Sequence, residues 1–169
     1  MNLLKEAQKI SEELDGVVFI GAIAVQAHTG RGRQTHDIDF ALASPMSDEE
    51  LENRGYVAYD ESGKKVRRSP RGVRVDIYTE DVSGIEVSLI SRTAESKSLA
   101  KGGTIRIICL EALLLAKLRA NRPSRPQDAQ DIQELVFYRG KKIDWNIFEQ
   151  LGANATELSR LKQIAMKHR

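Results

Sequence analysis

Hydrophobic positions follow two rhythms along this chain, and the change falls near residue 109. Leu3, Leu4, Ala7, Ile10 and Leu14 recur at helical spacing and predict an amphipathic helix ended by Asp15-Gly16. Residues 17–20 form a short apolar run of strand type, and Gly21 opens a small-residue helix through about Ala27. Gly30 and Gly32 mark 29–34 as loop, and 36–42 as the next strand. After Pro45, Ser47 and Glu50 have capping-box spacing and predict a short helix closed by Gly55. Residues 56–59 and 65–69 form a predicted strand pair across the turn-rich Asp60–Gly63 connection. Val73, Val75 and Ile77 alternate with Arg74, Asp76 and Tyr78 in a further strand, and 85–89 and 104–108 supply two more. From Leu110 the period becomes helical: LEALLLAKLRA up to Asn121-Arg122-Pro123, then 127–138, 145–151 and 157–167. The fold class expected is α/β (α+β), a small mixed sheet flanked by helices over 1–109, with a helical C-terminal portion over 110–169 packed on it.

Length and composition narrow the picture. At 169 residues the chain is one domain, or a compact domain with a helical appendage. A hydrophobic fraction of 41% with 30% charged residues is ordinary for a soluble globular protein. No apolar run reaches membrane-spanning length, and the first fourteen residues lack the unbroken apolar stretch of a signal peptide. A cytoplasmic location with no membrane partner is expected. The single cysteine, Cys109, excludes an internal disulfide or a cysteine-based metal cluster, and its apolar run predicts a buried thiol.

The net charge of +2 is too small to mark a nucleic-acid binder, but its distribution is uneven. Lys64, Lys65, Arg67, Arg68, Arg71 and Arg74 crowd into KKVRRSPRGVR, ahead of Asp76. Lys64, Lys65, Arg67 and Arg68 are candidates for binding the phosphates of a nucleic-acid acceptor; equally, the run suits an exposed hairpin whose charge resists edge aggregation. Aromatic residues are sparse there, so base stacking has little support. His28 and His36 flank the basic loop at a spacing that fits no metal pattern, and Trp145 reads as a helix-packing anchor.

The candidate chemistry lies between Phe19 and Leu42 and at Asp76. Side chains alternate along a strand, so Asp37 and Asp39 share a face about 7 Å apart, with Ile38 and Phe40 toward the core. Two carboxylates so placed repel unless a cation sits between them, which suggests a divalent metal, Mg²⁺ or Mn²⁺. The glycine and basic residues upstream suggest that the metal carries a triphosphate. Asp76, on the polar side of its strand, is the best third carboxylate. An antiparallel pairing of the two strands would bring the three together. Such a group suits phosphoryl or nucleotidyl transfer, where charge neutralisation and in-line positioning do most of the work.

Phe19-Ile20-Gly21-Ala22-Ile23-Ala24 followed by Arg33-Gln34-Thr35-His36-Asp37-Ile38-Asp39 resembles the signature of the DNA polymerase β-like nucleotidyltransferase superfamily, and within it the AbiEii/MenT branch, which includes toxins of toxin–antitoxin systems. LEALLLAKLRA resembles that branch's helix with a nucleotide-contacting lysine, here Lys117, and Arg125-Pro-Gln-Asp128-Ala-Gln-Asp131 resembles its following motif. The ordered match covers roughly residues 17–135. The resemblance implies a twisted nucleotidyltransferase-type sheet and metal-dependent transfer of NMP from an NTP, releasing pyrophosphate. It implies that Asp37 and Asp39 ligate Mg²⁺ or Mn²⁺, and that Asp76 positions or activates the acceptor as a third ligand. Backbone N–H groups of Gly21 and Ala22 would meet phosphate, Arg33, Thr35 and Lys117 would address the triphosphate, and Asp128 would orient Lys117 or the nucleotide. The acceptor implied is a hydroxyl of RNA (a tRNA 3′ end by analogy), of a protein or of a small molecule, and the toxin branch implies an antitoxin partner. Two positions depart: Gly21-Ala22 replaces Gly-Gly or Gly-Ser, and Gln127 replaces a lysine. They keep a second reading open, a catalytically weak or inactive module that binds nucleotide, RNA or a partner. By the residues alone, Lys117 either snorkels to water from an apolar helix or contacts nucleotide, and Asp131 is a solvent-facing charge at a helix start.

Overall fold

The computed structural model describes residues 3–100 and 102–167. Helix α1 (Leu3–Glu13) precedes β1 (Val17–Phe19), α2 (Gly21–Thr29), β2 (Asp37–Leu42) and α3 (Asp48–Asn53). Strands β3 (Val57–Glu61), β4 (Lys64–Arg68), β5 (Arg74–Tyr78), β6 (Asp81–Val82) and β7 (Ile85–Glu86) follow, then α4 (Val87–Thr93), β8 (Glu95–Ser98) and β9 (Thr104–Ile107). The rest is helical: α5 (Leu110–Ala120), α6 (Pro126–Arg139), a 3₁₀ turn over Gly140–Lys142, α7 (Ile147–Gln150) and α8 (Ala155–Lys167). The expected mixed α/β architecture with a helical C-terminal portion is what forms.

Seven strands make one mixed sheet in the order β3-β4-β5-β2-β1-β9-β8, and β6 and β7 form a separate ribbon. The capping box at α3 is present, with the Ser47 hydroxyl accepting from the Glu50 amide and Glu50 bonding back to the Ser47 amide. In the centre, β1 runs antiparallel to β2 and parallel to β9. Strand β5 runs parallel to β2, in register from Asp37 opposite Arg74 to Ala41 opposite Tyr78, and so corrects the antiparallel pairing expected from the sequence. The reason is topological. Parallel neighbours need a crossover between them, and the segment carrying α3 and the β3–β4 hairpin provides it.

Two local expectations also change. Only Ile85 and Glu86 of 85–89 are strand; Val87 onward is helix, with Val87 and Ile90 buried three apart on one side. A short apolar run does not distinguish the two periods by itself. Strand β8, with the polar sequence ESKS, carries no strand pattern and exists because β9 offers it an open sheet edge.

Phe19 and Phe40 meet edge to face at 6.1 Å on adjacent strands. Ile38, Phe40, Val75 and Ile107 turn into a core continuous with Leu113, Leu114 and Leu115 of α5. Cys109 is a free, buried thiol, and Trp145 stacks on Phe148 at 5.5 Å. Among the described residues no helix is long and apolar enough to cross a membrane.

Candidate functional site

The β2–β5 register decides the centre of the site. Residues opposite one another in a paired ladder point to the same side, and Asp39 lies opposite Asp76. Asp37, two positions before Asp39, joins them, so one carboxylate oxygen from each residue lies within 4.8 Å of the others. Burial, then the charges of Asp37 and Asp76, pushes Asp39 up to about 6 from its ordinary 3.8, opposed by Lys117 and Arg125. Asp37 is oriented by the Thr35 hydroxyl, which donates to its Oδ1 at 2.6 Å. Three converging carboxylates, one of them electrostatically strained by the other two, form the hard-oxygen donor set that Mg²⁺ or Mn²⁺ prefers.

The N-terminus of α2 sits directly over this group. Gly21 has φ 58°, a region that L side chains rarely adopt, and a Cβ built on it would overlap Asp39 Oδ2. No side chain caps the helix at Ile20, while the Ile20 amide is bound to the Asp39 carbonyl at 3.0 Å. Gly21 lines a cleft of about 360 Å³ together with Arg33, Asp37, Asp39, Asp76 and Lys117. Ala22 is buried behind Gly21. Helix N-termini of this kind favour anions.

The opposite wall comes from α5 and α6, where one of the two readings of Lys117 is excluded and the expectation for Asp131 is corrected. Lys117 does not snorkel: it is 6% exposed, with Nζ 2.9 Å from Asp128 Oδ1 and 2.8 Å from Asp131 Oδ2. Asp131 is not solvent-facing: it is 1% exposed and also pairs with Arg33 Nε at 3.3 Å. The start of α6 lies against α5 and the 30–36 loop, so its first turns point inward. Arg125 Nε, 3.2 Å from Asp128 Oδ2, completes a network of three cations and two carboxylates. Its surplus positive charge faces the acidic centre across the cleft.

The basic run is divided by strand alternation. Arg68 lies opposite Arg74, on the side of Asp76, whereas Arg67 lies opposite Val75 on the other side. Lys65 and Arg67 both pair with Asp48, and Arg67 also donates to the Tyr56 carbonyl at 2.9 Å. Arg68 stacks over the Tyr59 ring at 4.6 Å. The Lys64 side chain is outside the described part of the structure. Arg71, from the same run, is tied to Glu6 and Glu13 of α1.

Several cleft residues were not singled out by their sequence. Arg74 bridges Glu61 at 2.6 Å and Asp76 at 3.4 Å. Tyr78 also lines the cleft; burial, then Asp39 and Asp76, raises its phenol to about 12 and keeps it protonated. The alternation that selected Asp76 carried both, since Arg74 and Tyr78 flank it at two-residue spacing. Arg125 and Gln127 line the cleft from the start of α6. His28 bonds the Ile108 carbonyl through Nε2 at 2.9 Å in a buried position, and His36 is exposed.

Residues 1–167 match the model of a protein family described as nucleotidyltransferase of unknown function (DUF6036). No curated protein sequence matches the chain.

Proposed function

The chain belongs to that nucleotidyltransferase family, and on this premise we propose that it transfers a nucleoside monophosphate from an NTP to a hydroxyl acceptor, releasing pyrophosphate. The observation that carries the reading is the convergence of Asp37, Asp39 and Asp76 within 4.8 Å beside the uncapped start of α2. Asp37 and Asp39, with Asp76 as third ligand, are the residues that would hold Mg²⁺ or Mn²⁺, and the ion would supply neutralisation of the triphosphate charge.

The chain's own groups do the rest. The backbone at Gly21 approaches the phosphates closely because it has no side chain, and the α2 dipole favours their charge. Arg33 and Arg125 offer exposed guanidinium groups at the opposite wall, while Lys117 contributes a fixed positive charge held by Asp128 and Asp131. Thr35 acts on phosphate indirectly, by holding Asp37. Asp76 accepts the acceptor's hydroxyl proton as the oxygen bonds to the α-phosphorus; the bond from that phosphorus to the bridging oxygen breaks, and pyrophosphate leaves with the electron pair.

The acceptor is RNA, including a tRNA 3′ end, a protein side chain or a small molecule. Membership of the AbiEii/MenT branch, with a toxin role and an antitoxin partner in the cytoplasm, is supported by the order of the Lys117 and Asp128 motifs alone. Incubation with each α-³²P-labelled NTP, Mg²⁺ and total RNA tests the reaction. Label on a discrete RNA band, lost in Asp37→Asn/Asp39→Asn, is the expected result; no label on RNA, protein or small molecules counts against it.

Gln127 on the cleft wall and Ala22 behind Gly21 favour a second reading, a module that binds nucleotide without turnover. Thermal stabilisation by NTP with Mg²⁺, equal in wild type and Asp39→Asn and accompanied by no transfer in either, would select it.

A further inference from the structure

Phe137 and Tyr138, 65% and 39% exposed, put two surface rings side by side at the far end of α6. Phe137 and Tyr138 meet edge to face at 4.9 Å, and the Arg31 guanidinium lies over Tyr138 at 5.3 Å. Lys141 and Lys142, both exposed, border the same hollow of about 880 Å³. The patch is therefore aromatic and basic together.

It is also joined to the cleft. Arg33 pairs with Asp131 in the cleft wall, and Arg31 covers Tyr138, seven residues further along α6. Seven residues are two helical turns, about 10 Å, so the 31–33 segment lies along α6 and lines its path with guanidinium groups. That segment is held in place: Gly30 caps α2 in the left-handed region, and the Thr29 hydroxyl accepts from the Arg31 amide at 3.1 Å. A stacked single strand rises 3.4 Å per nucleotide, so the path spans about three nucleotides.

Accepting the transferase reading, we propose that this face binds single-stranded RNA, leading the acceptor's end along α6 into the cleft. Phe137 and Tyr138 serve as the stacking platform, and Arg31, Lys141 and Lys142 meet the phosphates. Exposed rings edged by cations match the two faces of a single strand: unpaired bases and a polyanionic backbone. A duplex hides its bases and gains only the charge.

Fluorescence anisotropy with a labelled mixed-sequence 12-nucleotide single-stranded RNA, titrated at several salt concentrations, tests this without requiring turnover. The probe should bind wild type with neither NTP nor divalent metal present. Phe137→Ala/Tyr138→Ala, at exposed positions, should weaken binding about tenfold or more. Lys141→Gln/Lys142→Gln should flatten the logarithmic salt slope by about 1.4. Absence of binding by wild type, unchanged affinity in the platform variant, or equal affinity for a duplex of the same length would overturn the proposal. So would sedimentation in which the platform variant abolishes a dimer and leaves RNA affinity intact, making the face a contact between copies. If RNA binds in the expected pattern while every NTP fails to transfer, the transferase reading falls and the RNA face stands.

Discussion

A side chain at Gly21 would occupy the space taken by Asp39 Oδ2. The backbone of α2 and the carboxylate of β2 thus touch where the cleft begins, and the Ile20 amide to Asp39 carbonyl bond of 3.0 Å fixes their spacing. Gly21→Ala should therefore do two things. The left-handed φ of 58° alone costs about 1–2 kcal/mol for an L residue, and Asp39 must also move. Thermal denaturation should show a fall of several degrees, and calorimetry with Mn²⁺ should show weakened metal binding. Unchanged metal affinity would mean that Asp39 tolerates displacement.

The acidic centre is strained without a cation, so neutralising one member should stabilise the metal-free protein. Asp39→Asn removes like-charge repulsion and is expected to raise the melting temperature. Each kcal/mol regained is about 2–4 °C for a chain of this size. The same change should abolish stabilisation by Mg²⁺. A lower melting temperature in EDTA would show that Asp39 is held by favourable bonds rather than strained.

Stability should also depend on pH through this group. The folded chain holds the Asp39 proton up to about 6, above the ordinary 3.8, so it binds that proton more tightly than the unfolded chain does. The resulting stabilisation is full below about pH 3.8 and is lost as pH rises through about 6. The difference between wild type and Asp39→Asn, measured by melting from pH 4.5 to 7.5, should grow over that window and then level off. Saturating Mg²⁺ should remove the growth.

Lys117 is the shared partner of two buried carboxylates. Lys117→Met leaves Asp128 and Asp131 with only the more exposed Arg125 and Arg33 as partners, and breaking a buried pair typically costs about 3–5 kcal/mol. Adding Asp128→Asn and Asp131→Asn should restore much of the loss in urea unfolding, because the charges that needed the lysine are gone. No recovery in the triple variant would show that Lys117 stabilises through packing.

The hairpin residues should separate by role. Arg67→Gln removes a buried donor to the Tyr56 carbonyl and the pair with Asp48, and should destabilise by about 1–3 kcal/mol. Arg68→Gln, on the Asp76 side, should cost little stability and weaken a nucleic-acid acceptor if one docks there. Equal stability losses in the two variants would contradict the division made by strand alternation.

Much of this was legible without coordinates because it is local. The amphipathic period of α1, the capping box of Ser47 and Glu50, the strand alternation around Asp76 and the long apolar helix α5 each depend on near neighbours in sequence. Asp37 and Asp39 shared a face for the same reason: two-residue spacing in a strand fixes it.

Relations between distant segments could not be read that way. The parallel β2–β5 pairing follows from how the intervening α3 and hairpin cross over, and its register puts Asp76 opposite Asp39. Asp131 had the pattern of a surface charge and Lys117 left two readings open; helix packing and the 30–36 loop bury the two together. Arg67 and Arg68 were indistinguishable as neighbours in a basic run until strand register gave one to Asp48 and the other to the Asp76 side. The sequence by itself determined most of the elements, though not β8 or α4, and which carboxylates share a strand face. Tertiary structure decided which charges meet, because electrostatic partnership depends on distance through space and on exclusion of water, neither of which short-range periodicity encodes.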